Sequence, residues 1–128
     1  MKMKNFFLLP LFVLLFIPTM IVFAKPDDVP EMVIFSQAQC SHCHDMMVFV
    51  DDKIRPNYPN LKIIIHDVSD PDKIRLLRRY LRDYKLDTGF IGTPMTFVGR
   101  SHFMGWSPDY ENQLIAEIDN YLSDEKEK

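Results

Sequence analysis

The chain has 128 residues, with 15 basic against 18 acidic side chains, a net charge of −3 at pH 7 and two cysteines. That length suits one compact domain and no more, and the lack of a basic excess argues against nucleic acid as a partner. Two cysteines three apart close too short a loop to stabilise a fold through chain entropy, so their spacing points to chemistry.

Residues 1–24 read as a signal peptide. Lys2 and Lys4 supply a positive start, residues 6–23 are almost wholly apolar, and the run ends on Ala24, a small residue of the kind signal peptidases favour. The competing reading is an uncleaved membrane anchor, since the run approaches the roughly 18–20 residues that span a bilayer. Either way the remainder is expected to be exported to the periplasm, touching the membrane only if the leader stays. Residues 25–128 carry 13 basic and 18 acidic side chains, a net charge of −5.

After a polar lead-in (25–30), a domain over residues 31–122 is expected. Met32-Val33-Ile34-Phe35 has the brevity and apolarity of a buried strand. From Ser41 the spacing becomes helical, with Met47, Val50 and Ile54 on one face, Met46 and Phe49 beside it, and Pro56 and Pro59 as the stop. Leu61-Lys62-Ile63-Ile64-Ile65 is continuous and rich in isoleucine, which predicts a central strand covered on both faces. Asp70-Pro71 opens a second helix as cap and first residue, with Ile74, Leu77, Leu81 and Tyr84 inward and Asp87-Thr88-Gly89 as its break. Met95-Thr96-Phe97-Val98 and His102-Phe103-Met104, joined through Gly99-Arg100-Ser101, form a hairpin. Ser107-Pro108-Asp109 starts a last helix with Leu114, Ile115, Ile118, Tyr121 and Leu122 inward, and residues 123–128 are a charged, solvated tail. The order β-α-β-α-β-β-α predicts an α/β fold: a parallel βαβ unit extended by an antiparallel hairpin into a four-stranded mixed sheet flanked by helices.

Cys40-Ser41-His42-Cys43-His44 admits two chemistries. As Cys-x-x-Cys it is a dithiol able to close as a disulfide; as Cys-x-x-Cys-His it is an attachment signal for a c-type haem with His44 on the iron. A mixed sheet is a poor frame for a haem, which needs helices around the macrocycle and an axial ligand such as methionine. Met95 and Met104 fall in predicted strands, where a methionine more often fills a gap. Copper on Cys40, Cys43 and His44 is the other metal reading, because thiolates bind Cu(I).

Taken together, Met32-Val33-Ile34-Phe35-Ser36 running into Cys40-Ser41-His42-Cys43, then Gly92-Thr93-Pro94-Met95-Thr96-Phe97-Val98 and Gly105, resemble the thioredoxin superfamily over nearly all of residues 31–122. The resemblance implies a minimal thioredoxin-like fold, a cis Pro94 packed against the disulfide, and a Thr93 backbone that pairs with the substrate chain. It also implies catalytic Cys40 and Cys43, no cofactor and no metal, and protein thiols or disulfides as partners of a monomeric thiol–disulfide oxidoreductase. The sequence departs from the superfamily at Ile34, where a buried acid is usual, and at Gln39, where tryptophan is common. Gln37 stands where glutaredoxins usually carry a lysine.

Residues three apart at a helix start lie about 5–6 Å from each other, within the roughly 4.4–6.8 Å Cα window of an unstrained disulfide. Cys40 at the helix N-terminus meets unpaired N–H groups and the positive end of the macrodipole, which favour the thiolate. Cys40 is therefore read as the attacking sulfur and Cys43, one turn inside, as the resolving one. His42, between them, is read as tuning that thiolate, consistent with the oxidising Cys-Pro-His-Cys variant of the superfamily. Separately, Arg75, Arg78, Arg79 and Arg82 line one face of the second helix; such a face is ordinarily just solvated, and otherwise suits an acidic partner or anionic lipid.

Overall fold

A computed structural model describes residues 29–127 apart from Thr88 and Phe90. The proposed leader, most of the lead-in, Thr88 of the expected helix break and Lys128 lie outside the described residues. Strand β1 (Glu31–Ser36) leads through a tight turn into α1 (Ser41–Phe49), which runs on as a π-helical stretch, Val50–Ile54, and a final short α2 (Arg55–Asn57). Strand β2 (Lys62–Asp67), helix α3 (Pro71–Asp83), strands β3 (Met95–Val98) and β4 (Ser101–Met104), a 3₁₀ turn at Pro108–Tyr110 and helix α4 (Glu111–Lys126) follow.

The sheet order is β2-β1-β3-β4. Strand β1 pairs parallel with β2 in the register Val33 to Ile64, and antiparallel with β3 in the register Ile34 to Thr96. Strands β3 and β4 form the hairpin, Val98 opposite Ser101. This is the four-stranded mixed sheet with flanking helices expected of a thioredoxin-like fold. The pleat sorts the central strands into two cores, because alternate side chains face opposite ways. Met32 and Ile34 meet α1, the π-helical stretch and α4 through Met46, Phe49, Val50, Ile54, Leu114 and Ile118. Val33, Phe35, Met95 and Phe97 meet α3 through Leu77 and Leu81.

Four expectations need correction. Strand β2 lies at the sheet edge, and Ile65 is 44% exposed; the strands covered on both faces are β1 and β3. An apolar run favours burial of its own side chains, but strand order, set by which partners compete for the centre, decides whether that burial is reached. The first helix does not stop before Pro56, which sits inside α2. Proline removes a backbone donor and crowds the carbonyl four residues back, and the wider π turn immediately before it relaxes that conflict. On the same helix Met46 is fully buried and Met47 only partly so, the reverse of the expected order. Helix α3 ends at Asp83, before Asp87-Thr88-Gly89. Lys85 adopts φ +58°, its N–H donating to the Arg82 carbonyl and that of Leu86 to the Leu81 carbonyl, a Schellman closure with lysine where glycine is usual.

The caps explain the remaining boundaries. Asp70 accepts a bond from the Asp72 N–H at 2.8 Å, with Pro71 at the first helical position. Ser107 makes no side-chain cap bond, and the chain enters α4 through the 3₁₀ turn instead. Helix α4 continues through Lys126, so most of the expected tail is helical while remaining largely exposed. No helix among the described residues is long and apolar enough to cross a membrane.

Candidate functional site

The Ser36 strand end turns back through Gln37, whose carbonyl accepts the Cys40 N–H at 3.2 Å. That turn sets Cys40 in extended backbone (φ −100°, ψ 112°) as the N-cap of α1. An N-cap side chain normally offers an oxygen to the first free N–H groups; here the acceptor is sulfur, with the Cys43 N–H donating to Cys40 Sγ at 3.2 Å. Cys40 and Cys43 are joined as a disulfide with Cα atoms 5.2 Å apart. Cys40 is partly exposed, whereas Cys43 is 2% exposed. The first cysteine is therefore open to solvent in part, and the second is enclosed.

The loop before β3 faces this turn. The Thr93–Pro94 peptide bond is cis, and the Thr93 carbonyl oxygen lies 3.5 Å from Cys40 Sγ. Pro94 is buried, and its carbonyl accepts the Gly105 N–H at 2.8 Å, tying the loop to the end of β4. Cys40, Cys43 and Thr93 thus converge, with Pro94 beside them on the same loop. His42 and His44 are exposed on the first turn of α1. They line an open groove of about 420 Å³ with Asp45, Val48, Trp106 and Glu111 among its walls.

Behind the dithiol the interior is apolar. Ile34 is fully buried, opposite Thr96. Thr96 is the one buried polar side chain among the described residues, and its hydroxyl donates to Met46 Sδ at 3.4 Å. Trp106 packs on Phe49 with ring centroids 5.0 Å apart. His66, at the end of β2, sits 5.2 Å from the Phe35 ring, and burial, then the Lys73 charge, lower its pKa. Among the described residues no three His, Cys, Asp or Glu side chains converge as metal ligands. Sequence reasoning missed the sulfur N-cap bond and the Thr96–Met46 contact; only the first had a signal, a cysteine at a helix start.

Comparison with known proteins adds one finding. No family model matches the chain, and no curated protein matches it. Among solved structures, a glutaredoxin from Archaeoglobus fulgidus is similar at a TM-score of 0.49 and 15% identity, over 71% of this chain and 88% of that one.

Proposed function

We propose that this chain is an exported thiol–disulfide oxidoreductase acting on protein substrates. The observation that carries the reading is the asymmetry of the pair: a reachable sulfur held as a helix N-cap, and a buried one within bonding distance. In the reduced protein the Cys43 N–H and the helix N-terminus favour a thiolate at Cys40, and His42 on the same turn is read as adding to that preference.

The Cys40 thiolate attacks one sulfur of a substrate disulfide. An S–S bond forms between them, and the other substrate sulfur leaves as a thiolate. Cys43, its proton passing to the substrate thiolate just released, then attacks Cys40 Sγ. The intramolecular disulfide closes and the second substrate sulfur departs, so two electrons pass from the dithiol to the substrate. Run in reverse, the same steps oxidise a substrate dithiol. The Thr93 carbonyl lies beside the reacting sulfur, which supports its reading as the acceptor of a backbone N–H from the bound chain.

The test is a trap. Cys43→Ser removes the resolving sulfur, so disulfide-linked adducts through Cys40 are expected to accumulate in the exporting cell. They should run as reducible high-mass bands on non-reducing gels and vanish in the Cys40→Ser, Cys43→Ser double variant. A Cys43→Ser protein that is folded, exported and free of adducts would overturn the proposal.

A further inference from the structure

The outer face of α3 has no part in thiol exchange, yet its charge is organised. Arg75, Arg78, Arg79 and Arg82 are all exposed at spacings of three and four, while Leu77 and Leu81 on the opposite side are buried. The four arginines alone line a shallow cleft of about 390 Å³. Arg75 pairs with Asp72. Among the described residues, Arg78, Arg79 and Arg82 have no carboxylate within ion-pair distance, in a chain where acids outnumber bases 18 to 15. Like charges at i,i+4, here Arg75–Arg79 and Arg78–Arg82, destabilise a helix, so folding gains nothing from this arrangement.

The position of the stripe suggests what does gain. Residues 25–128 carry a net charge of −5, so a negative surface repels most of the molecule and attracts this one face. The end of α3 lies at the end of the sheet where the chain enters β1: the Tyr84 hydroxyl donates to the Gly99 carbonyl at 2.6 Å, next to Val98, which stands opposite Met32. Six residues separate Ala24, the end of the apolar run, from Glu31, a reach of at most about 25 Å. Guanidinium groups also match phosphate oxygens in paired, fork-like hydrogen bonds.

From these observations we infer that the arginine face of α3 docks on an anionic lipid surface, its guanidinium groups meeting phosphate headgroups. The stripe then lies flat on the bilayer, with one end near the emerging N-terminal segment. Helix α3 covers the sheet face opposite α1 and α4. It starts at the dithiol edge of the sheet, where the Val68 N–H bonds the Ser36 carbonyl. Docking by α3 therefore leaves Cys40 open beside the membrane rather than beneath the protein.

Flotation with lipid vesicles tests this. The full chain is mixed with vesicles of phosphatidylcholine alone, or of phosphatidylcholine with one third phosphatidylglycerol, and the ratio of bound fractions is read. Any contribution of the apolar leader appears in both mixtures and in every variant. Each arginine near the surface is worth about fivefold in binding. Combined R78Q, R79Q and R82Q is therefore expected to lower the anionic-to-neutral ratio by roughly 100-fold, while R78K, R79K and R82K keep most of it. Raising the salt to 1 M, where the screening length falls to about 3 Å, should abolish the difference between wild type and the glutamine variant. An unchanged ratio in a glutamine variant whose circular dichroism matches wild type would overturn the inference. So would arginine-dependent binding to polyglutamate with none to anionic vesicles, which would assign the face to an acidic protein.

Discussion

Lys85 occupies a backbone conformation that a side chain resists. At φ +58° its Cβ crowds the carbonyl that follows, a cost of roughly 1–2 kcal/mol that glycine avoids. The Schellman bonds from Lys85 and Leu86 back to α3 hold it there. Lys85→Gly is therefore expected to raise stability by about 0.5–1 kcal/mol after the glycine's greater unfolded-state entropy is counted, read as a higher midpoint in urea. His66 acts through protonation. Burial, then Lys73, set its folded-state pKa below the ordinary 6.5, so below that pH the unfolded chain binds more protons than the folded one. Stability should fall as the pH drops through 6.5 and level off once the folded-state imidazole also protonates. His66→Gln should flatten that slope between pH 7.5 and 5.5; an unaltered slope would show that other groups carry it. These residues differ in legibility. Cys40 and Cys43 announce themselves by spacing, and Thr93 and Pro94 by resemblance. Nothing about a lysine marks Lys85 as the residue that turns left-handed, because its neighbours impose that conformation.

Elements were legible where a local pattern decides them. Asp70-Pro71 starts α3, and alternation in Met32-Val33-Ile34-Phe35 divides two cores, because capping and the pleat are short-range effects. The position of β2 at the edge and the passage of the first helix through Pro56 were not legible. Both depend on what surrounds the segment. The hairpin turn shows how such surroundings act. Gly99 takes φ +55° as the first central residue of a two-residue turn, which a type II′ connection requires. Its carbonyl accepts the Tyr84 hydroxyl at 2.6 Å from the end of α3. On the other side the Tyr121 ring of α4 stands 3.1 Å from where a Cβ would be. One step away, the Ser101 hydroxyl donates to Glu117 at 2.7 Å. The turn is thus clasped from both sheet faces. Gly99→Ala strains the backbone and pushes on Tyr121 together, so a loss of about 2 kcal/mol or more is expected. The turn sits at the sheet end opposite the dithiol, so exchange rates of the still-folded variant should match wild type. A parallel loss of exchange would mean the two ends of the sheet are coupled.

For the whole molecule, the question is whether two cores separated by one sheet behave as one. Leu77 belongs to the α3 side with Val33, Phe35, Met95 and Phe97. Ile118 belongs to the α4 side with Met32, Ile34, Met46 and Val98. No buried residue is shared between the two sets, yet both grip the same two central strands, β1 and β3. Removing methyl groups costs transfer free energy plus the cavity left behind: about 3 kcal/mol for Leu77→Ala and about 1 kcal/mol for Ile118→Val. If the sheet is stiff, each cavity relaxes within its own layer and the double variant should lose about 4 kcal/mol, the sum to within roughly 0.5 kcal/mol. If the strands shift toward whichever side is emptied, a cavity on one face relieves or deepens that on the other, and the sum fails. Additivity is expected, because interiors this close-packed respond locally to a lost methyl. Urea unfolding of the two single variants and the double variant decides it. A coupling above about 1 kcal/mol would show that the sheet carries strain between its faces, and α3 docked on a surface could then alter packing behind Cys43.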